Sequence, residues 1–486
     1  MPFTLPISLT INAPVRLGQV DLHLVTSSAL VADPPAAQVA ATSADDHLSM
    51  LSVDEQPSNR LEWTVPAVVV RVGPAYVHGA HIVLSGPLGL FRLRLYFPLT
   101  VAVRALPRAA SLRGTRLRLP IQRSERDAVN PSARPVKGIG SDVRELREHL
   151  PGDPFKHIAW KATARRRRLI VKEFESDVSV SAYALLDVGP SMRWGPPGGT
   201  RLDAGIELTF RLARLLATGR DRFGMLSFDH DVFGFTRASS NNRMPQQVMS
   251  HLMELNSVVH EDFTELADDE LLSRVARFMQ TQESVDLSVP DGAGMADLGP
   301  WDEDAVVSRA RQYLDSEHAQ LASLRNHYFT EPSTSEHGST LRTYCRLRGI
   351  DLPYRLEAVA GPRETGIERA IQKCITDRTA SHTIIVITDL VGVRSVERLL
   401  PAVKLAKAHR HRLVVLSPDI LVPEPGPELL GASPSSLEWR LRKVFSAEVQ
   451  FRREQLARAL RAQGVSVFVG DDPLRAMSRG NVFRAA

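Results

Sequence analysis

Two acidic residues follow apolar runs of the kind that form buried strands. Ala182-Tyr-Ala-Leu-Leu186 leads into Asp187-Val188-Gly189-Pro190-Ser191, and Ile384-Ile-Val-Ile-Thr388 leads into Asp389. Carboxylates beside a hydroxyl such as that of Ser191 are the oxygen donors hard divalent cations prefer, and magnesium keeps several waters while taking only one or two carboxylates. Cation binding at strand ends is therefore the chemistry these residue types point to first.

Other segments with reactive residues fall short of a site. Gly195-Pro-Pro-Gly-Gly-Thr200 lacks a Gly-Lys-Ser/Thr ending, and its prolines remove backbone donors, so it does not read as a phosphate loop. Ser191 has no Gly-x-Ser-x-Gly elbow and no histidine base nearby, which argues against a hydrolase nucleophile. Asp229-His230-Asp231 and His409-Arg410-His411 alternate on short segments without further ligands and read as surface polar groups. The run Arg165 to Arg168 lacks repeated basic and aromatic interleaving, so a solvated turn or an acidic protein contact is favoured over nucleic acid. No enzyme active site emerges.

Strands and helices must position the carboxylates, and the chain has material for them. Its 486 residues are 43% hydrophobic and 24% charged, enough for two or three domains with real cores. A formal charge of +5 permits acidic partners without demanding nucleic acid. Cys345 and Cys374 are too few for a disulfide framework and lack zinc-pair spacing, which suits a reducing compartment and buried or half-buried thiols. No window holds the roughly 18 consecutive apolar residues of a spanning helix, and Met1 to Leu30 has no signal-peptide pattern. A soluble, cytoplasmic protein without direct membrane insertion is the expectation.

Period-two patterning with Gly and Pro punctuation over residues 1–119 predicts a β-rich, sandwich-like domain, with strands near Val15–Val25, Trp63–Val72, His81–Leu84, Phe91–Phe97 and Thr100–Leu106. Residues 120–179 read as linker and a distinctive signature. Residues 180–260 and 353–486 alternate strand and helix, the pattern of a doubly wound, mostly parallel α/β sheet. Such sheets bind ligands outside the carboxyl ends of their strands, where Asp187 and Asp389 would both fall. Between these halves, residues 261–352 form a helical insert, with apolar stripes at Leu271, Leu272, Val275, Phe278 and Met279 and at Val306, Val307, Ala310, Tyr313 and Leu314, expected to pack on the α/β core. It reads as a structural elaboration more than as a partner-docking lid.

The signature comprises Leu146-Arg147-Glu148, Pro151-Gly152-Asp153, Ile158, Trp160 to Arg165, and Glu173 with Glu175, with a weaker match at Gly86-Pro87-Leu88-Gly89-Leu90-Phe91. In this it resembles the domain-of-unknown-function 58 family of von Willebrand factor A-like proteins. The resemblance implies a metal-ion-dependent adhesion-like site built from an aspartate-x-serine-x-serine loop, a distant threonine and a later aspartate. Carried onto this chain, the metal ligands are Asp187, Ser191, Thr365 and Asp389, with Thr264 the rival to Thr365 and Gly189 in place of the first serine. The ion would be Mg2+. The resemblance further implies a non-enzymatic adaptor working with a MoxR-type AAA+ ATPase in protein-complex assembly or maturation, with Trp160-Lys161 bracing a domain junction. Taken alone, Trp160 reads as a core anchor. The competing readings are a metal-dependent phosphohydrolase and a scaffold with a vestigial site.

Overall fold

The computed structural model describes residues 2–11, 19–32, 59–85, 90–107, 143–150, 155–174, 181–218, 221–256, 264, 266–289, 301–315, 336–354, 362–377, 381–419, 437–470 and 472–479. Of the signature positions, Gly86 to Gly89, Pro151 to Asp153 and Glu175 lie outside these residues.

The amino-terminal strands are β1 (Pro2–Ile11), β2 (Gln19–Thr26), β3 (Leu30–Ala32), β4 (Asn59–Val69), β5 (Gly73–Ser85) and β6 (Arg92–Ala105). They form two antiparallel three-stranded sheets, β1-β4-β3 and β2-β5-β6. Alternation places Val20, Leu22, Val65 and Ile82 in an apolar layer shared by both sheets, with Leu5 and Ile7 against it. β1 has no counterpart among the predicted strands. The two runs at Phe91–Phe97 and Thr100–Leu106 are one strand, passing through Pro98 where the β5–β6 register shifts between Val77 and Gly79. A bulge absorbs the donor that proline lacks.

The signature segment builds a small unit of its own. Strand β7 (Val143–Glu148) pairs antiparallel with β8 (Ile170–Phe174), and helix α1 (Trp160–Arg166) lies before β8. Ala159 N–H donates to Ile170 O (2.8 Å) and Ile170 N–H to Thr163 Oγ1 (3.0 Å), and Ile158, Ala159, Ile170 and Val171 are buried. Trp160 is not the core anchor expected. It is 65% exposed, because so short a helix turns only Ala162 and Thr163 partly inward and leaves the tryptophan on the outer side. The arginines after it are exposed, with Arg168 paired to Glu148 at 2.9 Å.

The α/β unit contains β9 (Ser181–Asp187), α2 (Arg201–Thr218), β10 (Arg222–Phe228), β11 (Val232–Ser239) and α3 (Met244–Glu254). The insert helices follow: α4 (Asp268–Glu283), α5 (Glu303–Leu314) and α6 (Glu336–Arg348). The unit then resumes with α7 (Arg363–Thr376), β12 (Thr383–Ile387), α8 (Val396–Ala408), β13 (Arg412–Pro418), α9 (Leu437–Ala462), β14 (Ser466–Gly470) and α10 (Pro473–Arg479). The sheet order is β11-β10-β9-β12-β13-β14, parallel except for the edge strand β11. Every residue of β9 is buried: Ala182, Ala184 and Leu186 face α2 and α3, while Tyr183 and Leu185 face α7, α8 and α9. Helices on both faces explain why the central strands are apolar throughout rather than alternating.

The insert closes on its own apolar cluster, including Leu271, Val275, Met279, Val306, Ala310, Leu341 and Tyr344. Polar contacts at its end run to the sandwich. Arg348, 2% exposed, is ion-paired with Glu283, which also accepts from Tyr344 Oη at 2.7 Å, and it reaches Tyr96 Oη (3.3 Å) and His78 O (3.4 Å). Arg71 adds a 2.9 Å pair to Asp351. Both cysteines are buried, and burial holds their thiols well above the usual range.

His251 on α3 is sealed between Ser227 Oγ (3.0 Å) and Thr236 Oγ1 (3.2 Å), and burial lowers its pKa from 6.5 to about 3. Burial lowers His78 to about 3 as well, with the Arg348 charge acting in the same direction. A histidine kept neutral by folding contributes fully above about pH 6.5, and that contribution is lost as pH falls from there toward its folded pKa. At about pH 5 His251 alone should cost about 2 kcal/mol. Urea midpoints at neutral pH and at about pH 5 read this loss, and His251→Gln should shrink the difference, His78 keeping its own share.

Candidate functional site: the carboxyl rim of the sheet

The strand β9 lies between β10 and β12, and the helices that follow β9 and β12 pack on opposite faces of the sheet. This is the switch point at which a doubly wound sheet opens a crevice beyond its strand ends. Asp187 closes β9, Asp229 follows β10, and Asp389 stands two residues after β12. All three are fully buried. Sheet order alone therefore gathers carboxylates that are far apart in the chain.

Helix α7 begins above them. Gly366 presses so closely on the Asp229 backbone that a Cβ there would overlap the Asp229 carbonyl, and this contact brings the first turn of α7 over the rim. Arg363, 2% exposed, donates through Nη1 to Asp187 Oδ1 and lies 3.4 Å from Asp229 Oδ1. Asp187 Oδ1 also accepts the Gly189 N–H (2.9 Å), and its Oδ2 accepts Thr388 Oγ1 (2.7 Å). Asp229 accepts Tyr354 Oη at 2.8 Å, and Asp389 accepts the Val391 N–H at 2.9 Å with Arg201 Nη1 at 3.4 Å. Glu364, beside Arg363, accepts the N–H groups of Arg394 (2.7 Å) and Ser395 (3.0 Å), tying α7 to the loop before α8.

Burial pushes the Asp187 carboxyl above the usual carboxylate range, Arg363 opposes this, and the Asp389 charge adds to it. Burial acts to lower Arg363, but Asp187 and Asp229 outweigh it and hold the guanidinium charged. The result is a closed ion cluster with its cation supplied by the chain.

The expected metal ligands are distributed unevenly over this rim. Asp187 and Asp389 do converge at the β9 and β12 ends. Ser191 is fully buried in the loop after Asp187, and its Oγ has no hydrogen-bond partner among the described residues. Thr365 is half-buried, its N–H donating to Pro362 O (3.1 Å), and the residue of its turn that reaches Asp187 is Arg363. The rival Thr264 is buried at the entrance to the insert, where its Oγ1 accepts the Leu266 N–H at 3.4 Å. Set against the needs of a Mg2+ ion, the donors do not fit in this arrangement: both Asp187 oxygens are engaged, and the guanidinium fills the space over Gly189. Among the described residues no group of three or more His, Cys, Asp or Glu is arranged to hold a metal ion.

Arg363 and Tyr354 escaped the sequence reading, and Asp229 was set aside in it. Asp229-His230-Asp231, taken there for surface residues, is a hairpin turn into β11 whose first carboxylate is buried beneath α7. The turn is closed by Asp229 N–H to Asp231 O at 2.9 Å, a signal that Gly-rich or Asp-rich hairpin chemistry offers. His411 is likewise not a surface group: it is buried, stacks on His382 at 5.3 Å and accepts the His382 N–H at 2.9 Å.

The fold and rim define a mixed α/β protein with a sealed polar cluster at the crevice of its sheet. Residues 145–278 match the family described as "Protein of unknown function DUF58". That span runs from β7 to α4 and includes Asp187 and Asp229. The chain is also 35% identical over 66 residues to "Uncharacterized protein YeaD" of Bacillus subtilis (strain 168), a likeness covering 14% of this chain and 17% of that protein. No solved structure matches significantly.

Proposed function

We propose that the chain is a non-enzymatic adaptor that binds another protein at this rim through a von Willebrand factor A-like domain. The partner that the family resemblance favours is a MoxR-type AAA+ ATPase, met in the cytoplasm during protein-complex assembly or maturation. The observation that carries the reading is a groove of about 830 Å³ beside the rim, lined by Trp194, the Val391–Val396 loop and Phe445 to Ala459 of α9. Trp194 and Phe445 sit 6.0 Å apart and are 46% and 53% exposed. Half-exposed aromatic rings flanked by Arg394, Glu397, Glu448 and Arg452 are the composition of a protein contact, in which a few aromatic anchors carry most of the energy.

The phosphohydrolase alternative has less support. It requires metal-carrying carboxylates open to substrate, whereas Asp187 and Asp389 are fully buried and face arginines. No helix among the described residues is long and apolar enough to cross a membrane. Pull-down of the full chain with a MoxR-type ATPase, in the presence of ATP or ADP, tests the adaptor reading. Binding should fall at least thirtyfold, about 2 kcal/mol, when Trp194→Ala and Phe445→Ala are combined. Absence of association by the parent chain with either nucleotide would sink it.

A further inference from the structure

We propose that the Arg363 guanidinium is the resident cation of this rim, standing where a divalent ion would otherwise sit, so that the rim is assembled without metal and admits a metal only if Arg363 is removed. The inference goes beyond the adaptor reading and does not depend on which partner binds.

Three buried carboxylates at one end of a sheet are costly unless a positive charge joins them. Asp187, Asp229 and Asp389 have no exposed surface, and Arg363 approaches the first two directly. The backbone has been cleared for it on two sides. At residue 189 a Cβ would fall inside the guanidinium, and at residue 392 a Cβ would stand 3.1 Å from Nε and 3.2 Å from Nη2. Those glycines belong to different loops, one after β9 and one after β12, so the space is a property of the rim rather than of one turn. The first is also the position at which the family resemblance expects a serine ligand, and the guanidinium now occupies the room that side chain would need.

Ser191 is the second line of argument. Its Oγ is buried and has no hydrogen-bond partner among the described residues. A small spherical ion can collect oxygen donors from several directions, while a planar guanidinium donates only in its own plane. A hydroxyl left over beside an arginine-filled acidic cluster is the expected residue of that exchange. Unlike a bound ion, the guanidinium stays charged at any working pH and cannot be removed by a chelator.

The test uses the full-length protein and Mn2+ alone, with free Mn2+ followed by electron paramagnetic resonance and the melting temperature read in parallel. The unmodified chain should take up no Mn2+ at the rim at about 1 mM, a concentration sufficient for weak oxygen-ligand sites. Its melting temperature should be the same in EDTA as in MgCl2. Arg363→Ala should melt lower and gain one Mn2+ site that Asp187→Asn abolishes, with melting raised by about 5 °C at a hundredfold excess over Kd. Gly189→Ser with Arg363→Ala should bind the ion more tightly than Arg363→Ala. If Arg363→Ala does not fold, the unmodified chain decides: uptake of one Mn2+ that Asp187→Asn abolishes overturns the proposal, and refusal upholds it. A folded Arg363→Ala protein that takes up no Mn2+ would also overturn it.

Discussion

Gly189→Ser, although it installs the residue the family resemblance expects, should destabilise the fold by about 3–5 kcal/mol. A Cβ at 189 lands within the Arg363 guanidinium, so serine must drive that side chain from its place against Asp187 and Asp229. What remains is Asp187 and Asp229 buried without the Arg363 guanidinium, while Arg201 stays on Asp389, and the cost is that of breaking a buried ion pair from one side rather than of adding a hydroxyl. Equilibrium urea unfolding, read at the transition of the α/β unit, gives the number. The same experiment distinguishes steric from electrostatic loss. Adding Arg363→Ala to Gly189→Ser should cost much less than Arg363→Ala costs alone, because the two residues share one space and their effects are not additive. A Gly189→Ser protein as stable as its parent would show that the guanidinium can leave freely.

Arg348→Leu should cost a similar 3–5 kcal/mol, through a different joint. Arg348 is buried against Glu283 and lies 4.9 Å from the Tyr313 ring centroid and 5.4 Å from that of Phe278, while its other contacts are Tyr96 Oη and His78 O in the sandwich. Leucine removes the charge but leaves Glu283 buried, so Arg348→Leu with Glu283→Leu should recover much of the loss, since a buried pair replaced by apolar residues is often close to neutral. Limited proteolysis of Arg348→Leu should cut the insert sooner than the α/β unit, because the arginine links α6 to the sandwich. Equal protection of both segments in the variant would place the insert's anchorage elsewhere.

The elements were legible where burial on both faces leaves a plain mark. The strands at 182–186, 222–228, 383–388 and 412–417 carry apolar residues on both faces, and each is a central strand of the sheet. Apolar stripes at helical spacing marked α4 and α5. β11 was missed because Val232–Ser239 mixes buried and half-buried positions on an edge strand, where patterning is weak. Asp187 and Asp389 were legible as candidates because each follows an apolar run. Arg363 was not, since a lone arginine in Pro362-Arg363-Glu364-Thr365 has the local appearance of a solvated helix start. Its burial follows from Gly366 meeting Asp229 and from glycines at 189 and 392, relations between distant segments that no window of sequence contains.

The joint between insert and sandwich also constrains the order in which the molecule can be made. Arg348 meets Tyr96 and His78 across separations of 252 and 270 residues. During synthesis the β5–β6 surface emerges long before its covering helix exists, so the amino-terminal layers must wait, with that face uncovered, until roughly 70% of the polypeptide has left the ribosome.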